Sequence, residues 1–174
     1  MISEKIVLAC RSGNRSAQKT LYKTLAQKMF MHCYRYVKQK EDAEEILSEG
    51  FIKVFANLST VEYRDAKNFE GWVKRIMVNE SLMFLRKQKV QFSDQERTSQ
   101  IEIVQSWDDD LIVEDIYRLI RSLPIGYRTV FNLSVIEGYS HKEIAQKLSI
   151  TESTSRSQLS KARKKLQEFM AKRK

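Results

Sequence analysis

From Ala17 to Val37 an apolar side chain recurs at every fourth residue: Ala17, Leu21, Leu25, Met29, Cys33 and Val37. An unbroken i, i+4 series runs one buried stripe along a helix and excludes a strand, whose side chains alternate. The segment DAEEILSEGFIKVFANL (42–58) does the same with Ala43, Ile46, Leu47, Gly50, Phe51, Val54, Phe55 and Leu58. Glu41 and Asp42 stand where the positive end of that helix favours carboxylates. A third helix is expected in GWVKRIMVNESLMFLRKQK, with Trp72, Val73, Ile76, Met77, Leu82 and Leu85 turned inward. Only 1 Pro and 5 Gly punctuate 174 residues. The chain is therefore expected to be all-α.

Charge divides it into three parts. The whole carries 31 Lys and Arg against 22 Asp and Glu, a net +9, which points to a polyanion or an acidic surface as partner. Residues 1–90 are net +7 and residues 115–174 net +8, whereas residues 91–114 (QFSDQERTSQIEIVQSWDDDLIVE) are net −6 without a sustained period. The expected architecture is two small helical domains, 1–90 and 115–174, joined by an acidic flexible linker over 91–114. Fully stretched, the linker spans roughly 80 Å, and as a free coil its ends lie about 27 Å apart. It can be a solvated spacer, a segment that avoids nucleic acid, or a mimic of nucleic acid on a basic surface.

What the buried stripes leave outside is informative. Glu45, Ser48, Glu49 and Ile52 follow one another at i, i+3, i+4 and i+7, an acidic face with one aliphatic in a basic domain. Such a face suits a basic protein partner, or plain solvent. The third helix turns Lys74, Arg75, Asn79, Arg86 and Lys87 outward, and the loop before it (59–70, STVEYRDAKNFE) contains Tyr63, Lys67 and Phe69. Cations neutralise phosphate, an amide pairs with an adenine edge and an aromatic ring can stack on an exposed base, so this mixture suits DNA. Trp72 reads as a packing residue.

Residues 141–170 (HKEIAQKLSITESTSRSQLSKARKKLQEFM) read as helix, turn, helix. Ile144, Ala145 and Leu148 line the first helix, Ser149 and Ile150 turn the chain, and Thr151 or Ser153 caps the second. Leu159, Ala162, Leu166 and Phe169 then pack inward, leaving Arg156, Ser157, Ser160, Lys161 and Lys164 on the other side. If all of 153–170 is helical it is about 27 Å long, enough to lie in a major groove. Arg163, Lys165 and Lys172, Arg173 and Lys174 remain for phosphates.

Other classes fit poorly. There is no Gly-rich phosphate loop and no nucleophile with an evident base, so an enzyme, a small-molecule substrate or a cofactor is not expected. Cys10 and Cys33 make no disulfide scaffold, and His32 beside Cys33 is only a near-miss for a metal site, so no metal is expected. The N-terminal MISEKIVLACRSGNRSAQK turns polar too early for a signal peptide, and no apolar run approaches roughly 18 residues. A cytosolic location is the expectation. A stand-alone helix-turn-helix regulator would account for 115–174 but leaves the acidic face unused. A structural adaptor would bind protein through that face alone.

The stretches YRYVKQKEDAEEILSEGFIKVF, FEGWVKRIMVN with LRK, and LPIGYRTVFNLSVIEGYSHKEIAQKLSI with TSRSQLSKARKKL occur in that order. Together they closely resemble the extracytoplasmic-function group of bacterial RNA polymerase sigma factors over nearly all the chain except the linker. The resemblance implies a non-catalytic alternative sigma factor that binds core RNA polymerase, promoter DNA and an anti-sigma factor. That last partner, when membrane-bound, would hold it at the inner membrane of the bacterium. It implies polymerase docking on Glu45, Ser48, Glu49 and Ile52, with minus-10 recognition and melting by Tyr63, Lys67, Phe69, Arg75 and Asn79. Minus-35 recognition falls on Arg156, Ser157, Ser160, Lys161 and Lys164, and the linker would thread near the polymerase active centre. Three positions depart from the family's habit: Ser149 replaces a common Gly, Met83 a common acid or amide, and Ser155 a common aliphatic.

Overall fold

The computed structural model describes residues 2–88 and 112–171. The chain divides into two compact units at Gln88/Lys89. All regular elements among the described residues are helical, and none of those helices is long and apolar enough to cross a membrane.

In the first unit α1 (Glu4–Arg11), α2 (Arg15–Tyr34), α3 (Lys40–Ala56) and α4 (Ala66–Lys87) are joined by short connections, with a single 3-10 turn at Leu58–Thr60. Helices α2, α3 and α4 pack on one another pairwise, and α1 braces α2 and the 3-10 turn. The expected α2 stripe is buried at Leu21, Leu25, Met29 and Cys33. Ala17 is only half-buried, and Val37 is buried beyond the end of the helix. Helix α3 buries Ala43, Ile46, Leu47, Gly50, Phe51 and Val54, whereas Leu58 belongs to the turn that follows. A methyl at position 50 would fall on the sulfur end of the Met77 side chain of α4 and force it to move, so the two helices cross at close range.

Helix α4 differs from the reading of its sequence. It begins at Ala66, because the Asp65 carboxylate caps it by accepting from the Asn68 backbone N–H at 2.8 Å. These bonds from Asn68 hold the Asp65 carboxyl below its usual range. Its inner face is Phe69, Val73, Met77, Val78, Ser81, Leu82 and Leu85, with Trp72 and Ile76 half-buried at its margin. The loop expected over 59–70 is thus short, and α1 ties it down. Arg11 Nε donates to the Leu58 carbonyl at 2.9 Å and its Nη2 to that of Val61, while the Tyr63 hydroxyl donates to the Ile2 carbonyl at 2.9 Å.

The second unit contains α5 (Ile112–Ser122), α6 (Ile125–Phe131), α7 (His141–Leu148) and α8 (Glu152–Ala171). Of the expected linker, 91–111 lies outside the described residues, as does the tail 172–174. Residues 112–114, assigned above to the linker, instead open α5: Ile112, Ile116 and Ile120 form a four-residue series that carries the helical pattern back past the boundary. Pro124 ends the α5–α6 corner, its missing N–H costing nothing just ahead of a helix. Helix α6 runs into a π-helical turn at Asn132–Ile136, where the Glu137 N–H donates to the Asn132 carbonyl at 2.9 Å. Gly138, at φ 78°, then reverses the chain.

Leu123 and Tyr127 pack against Ala162 of α8, with Phe131, Leu166 and Phe169 around them. Arg128 is also inside, 2% exposed, its Nη1 donating to the Arg121 carbonyl at 2.7 Å. Burial, with the charge of Arg121 second, lowers its guanidinium to about 10. Ser140 and Glu143 form a reciprocal cap at the start of α7, and the Thr151 hydroxyl, not Ser153, caps α8 by accepting from the Thr154 N–H at 3.0 Å. Between them Ser149 is left-handed at φ 55°, ψ 46°, a region that a residue with a Cβ enters at a cost.

Two consequences can be measured. A left-handed non-glycine residue costs about 1–2 kcal/mol, so Ser149→Gly is expected to raise stability by about 0.5–1 kcal/mol after the added freedom of the unfolded chain is counted. A denaturant midpoint that falls would contradict this. Arg11→Ala removes both ties to the turn, so hydrogen exchange should accelerate at 58–63 while the amides of α2 and α3 remain protected.

Candidate functional site

Helix α3 carries the first candidate surface. Glu45, Ser48, Glu49 and Ile52 are all exposed, Ile52 by 62%. Among the described residues no cation pairs with Glu45 or Glu49, and the Ser48 hydroxyl donates to the Glu44 carbonyl of its own helix at 2.8 Å. A large aliphatic held in solvent between unpaired carboxylates is an arrangement that a basic, partly apolar partner would complete. The next turn is different. Lys53 Nζ donates to Glu80 Oε1 of α4 at 2.7 Å and lies 3.7 Å from the sulfur of Met83, so this lysine is held by its neighbours and does not weaken the acidic face.

The second surface lies on α4 and the loop before it. Lys67, Arg75 and Asn79 are exposed, with Arg75 and Asn79 one turn apart on the same face. Phe69 is a correction: at 1% exposure it has no face open to a base, because the early start of α4 turns it into the core against Trp72 and Tyr63, with ring centroids at 5.6 and 6.1 Å. Tyr63 is half-buried, and its hydroxyl is already engaged by Ile2. His32 and Cys33 have separate roles in this unit. Arg35 donates to His32 Nδ1, and burial, then the charges of Arg35, Lys74 and Lys28, press that imidazole down to about 3. Burial pushes the Cys33 thiol up to about 12 despite a hydrogen bond with Ser81.

The third surface is the outer side of α8. Its inner side is Ser155, Gln158, Leu159 and Ala162, so Arg156, Ser160 and Lys164 are exposed while Ser157 and Lys161 flank the buried stripe half-covered. Lys161 leans over the Tyr127 ring of α6, Nζ 5.9 Å from its centroid. Arg156 is paired with Glu152 one turn earlier at 3.0 Å. That exposed bridge is worth at most about 1 kcal/mol, against about 1–3 kcal/mol for a bidentate base contact. The bridge to Glu152 is thus weak enough for a bidentate acceptor to displace it from the guanidinium.

His141 was not singled out in the sequence, yet it joins this surface. With Arg156, Ser160, Arg163, Lys164 and Gln167 it lines an open groove along α8. Its Nδ1 lies 2.8 Å from the hydroxyl of Ser155, which is fully buried. A histidine fourteen residues from its serine leaves no periodic trace in the sequence.

Comparisons with known proteins identify the family. The family model for Sigma-70 region 2 matches residues 21–90 and that for Sigma-70 region 4 matches residues 114–166. The RNA polymerase sigma factor SigV of Bacillus subtilis is 30% identical over 122 residues, 69% of this chain and 70% of that one. The ECF RNA polymerase sigma factor SigW of the same organism is 25% identical over 180 residues, 95% of both chains. ECF sigma factor SigE of Mycolicibacterium smegmatis is 28% identical over 171 residues, 92% of this chain, which spans only 65% of that relative's length. Among solved structures, CnrH in complex with the cytosolic domain of CnrY has a TM-score of 0.51 at 18% identity, covering 95% of each chain. The sigma factor RpoE in complex with the anti-sigma factor NepR from Bartonella quintana has a TM-score of 0.51 at 22% identity, covering 88% of this chain and 96% of the other. With region 2 matching the α2–α4 bundle and region 4 the helices from α5 to α8, the chain belongs to the extracytoplasmic-function family of RNA polymerase sigma factors.

Proposed function

We propose that the chain is a non-catalytic initiation subunit that works in the bacterial cytoplasm, docking on core RNA polymerase and directing it to one class of promoter. The observation that carries this reading is the separation of charge by surface. The exposed acidic face with Ile52 on α3 suits a protein, and the cationic faces of α4 and α8 suit DNA. Docking is assigned to Glu45, Ser48, Glu49 and Ile52. Contact with the minus-10 element is assigned to Lys67, Arg75 and Asn79, with Tyr63 shaping the adjoining loop. Contact with the minus-35 element is assigned to Arg156, Ser157, Ser160, Lys161 and Lys164, with α7 and α8 acting as a helix-turn-helix. An anti-sigma partner, as in the complex of RpoE with NepR, would silence the factor, and a membrane-bound one would hold it at the inner membrane. A stand-alone regulator is disfavoured, since it gives no role to the region 2 match over 21–90.

The docking and reading functions separate by mutation. Glu45→Lys with Glu49→Lys is expected to weaken binding to core polymerase about tenfold or more without changing the melting temperature. Wild-type retention on immobilised core would remove the docking assignment. Arg156→Ala and Lys161→Ala should each reduce use of the upstream element by about 1–3 kcal/mol in run-off transcription over a randomised promoter pool. Unchanged base preferences would remove the assignment on α8.

A further inference from the structure

The groove beside α8 contains a polar arrangement that base reading does not use. Ser155 is fully buried in the middle of the helix, and its hydroxyl has one hydrogen-bond partner among the described residues, His141 Nδ1 at 2.8 Å. A buried hydroxyl left with its proton unused is costly, so the Ser155 O–H donates and Nδ1 accepts. A neutral imidazole that accepts at Nδ1 carries its proton on Nε2. Its remaining ring nitrogen is then a donor, and the groove that His141 lines contains Arg156, Arg163 and Lys164 without a carboxylate among its lining residues. The start of α7 is not the source of attraction, since the Glu143 carboxylate already accepts from the Ser140 backbone N–H at 2.8 Å.

We infer that this groove is a seat for a backbone phosphate of DNA, in which His141 Nε2–H is a neutral donor to a phosphate oxygen, Arg163 and Lys164 supply charge, and Ser155 is the positioning residue that fixes the histidine tautomer. The inference rests on the proposed DNA-facing role of α8 and deepens it. It assigns a sequence-independent contact to a residue of α7 and explains why a hydroxyl occupies a fully buried position in α8. Glu152 pairs with Arg156 at 3.0 Å, and a phosphate in the groove draws Arg156 away from it; exposed Glu168 follows Gln167 on the same helix.

The test is made on the full-length protein, whose two histidines are told apart by the loss of one set of ring signals in His141→Ala. Long-range proton–nitrogen spectra at about pH 8.5, above the ordinary titration range of imidazole, should show the His141 proton on Nε2. Ser155→Ala should return the ring to a tautomer mixture. Adding a duplex of about 20 base pairs and arbitrary sequence at about 50 mM salt should shift the His141 ring together with the amides of Arg156 and Arg163. His141→Ala should weaken duplex binding roughly tenfold with an unchanged salt slope, and His141→Gln, which keeps a donor, should recover most of the loss. Arg163→Ala should lower that slope by about one. A proton found on Nδ1 overturns the inference. So does an unmoved His141 ring while the α8 amides shift, which would leave the DNA-facing role of α8 standing. If neither ring nor amides move, both are withdrawn.

Discussion

A helix can bury one stripe of side chains in a small bundle, and whatever occupies the rest of its circumference is free to be chosen for something else. Helix α3 meets this limit closely. Its stripe from Ala43 to Val54 seals the contact with α2 and α4, and Gly50 brings α4 near enough for Met77 to fill the space a side chain would take. Each fully buried aliphatic is worth about 1.5–3 kcal/mol, whereas an exposed ion pair contributes at most about 1 kcal/mol. The fold is therefore nearly indifferent to Glu45, Glu49 and Ile52. Interfaces can be written there at little cost to stability.

The two units solve the burial problem differently. The first closes an almost wholly apolar core and ties its connecting turn to the N-terminal segment, Arg11 donating to the Leu58 carbonyl and Tyr63 to that of Ile2. The second is built with Arg128, Thr129, Asn132, Ser155 and Gln158 inside it. Buried polar groups add little net stability, but they penalise any packing in which their partners are missing. Ser155 links α8 to α7 through His141 Nδ1 at 2.8 Å, which favours one rotation of α8 about its axis and so bears on which of its cations point outward.

How much of this was legible depended on whether the cause was periodic. The stripes of α2 and α3 and the outer face at Glu45 to Ile52 follow from spacing, as does the inward side of α8 at Leu159 and Ala162. The left-handed backbone at Ser149 has no periodic cause, and the departure from glycine there is its only trace in the sequence. The start of α4 was not, because the cap at Asp65 is a local hydrogen bond in a stretch without period, and missing it placed Phe69 in a loop when it is buried. Helix α1 is too short to show a period, and its ties to Leu58 and Val61 join residues about fifty positions apart. The His141–Ser155 pair is invisible for the same reason: only the tertiary fold brings it together.

Lys161 illustrates how interior and exterior are linked. Its ammonium lies over Tyr127, a ring in the heart of the second unit, so the place from which this charge reaches outward is set by packing inside the unit. A substitution beneath that ring would therefore relocate the charge while every outward-facing residue of the helix stayed the same.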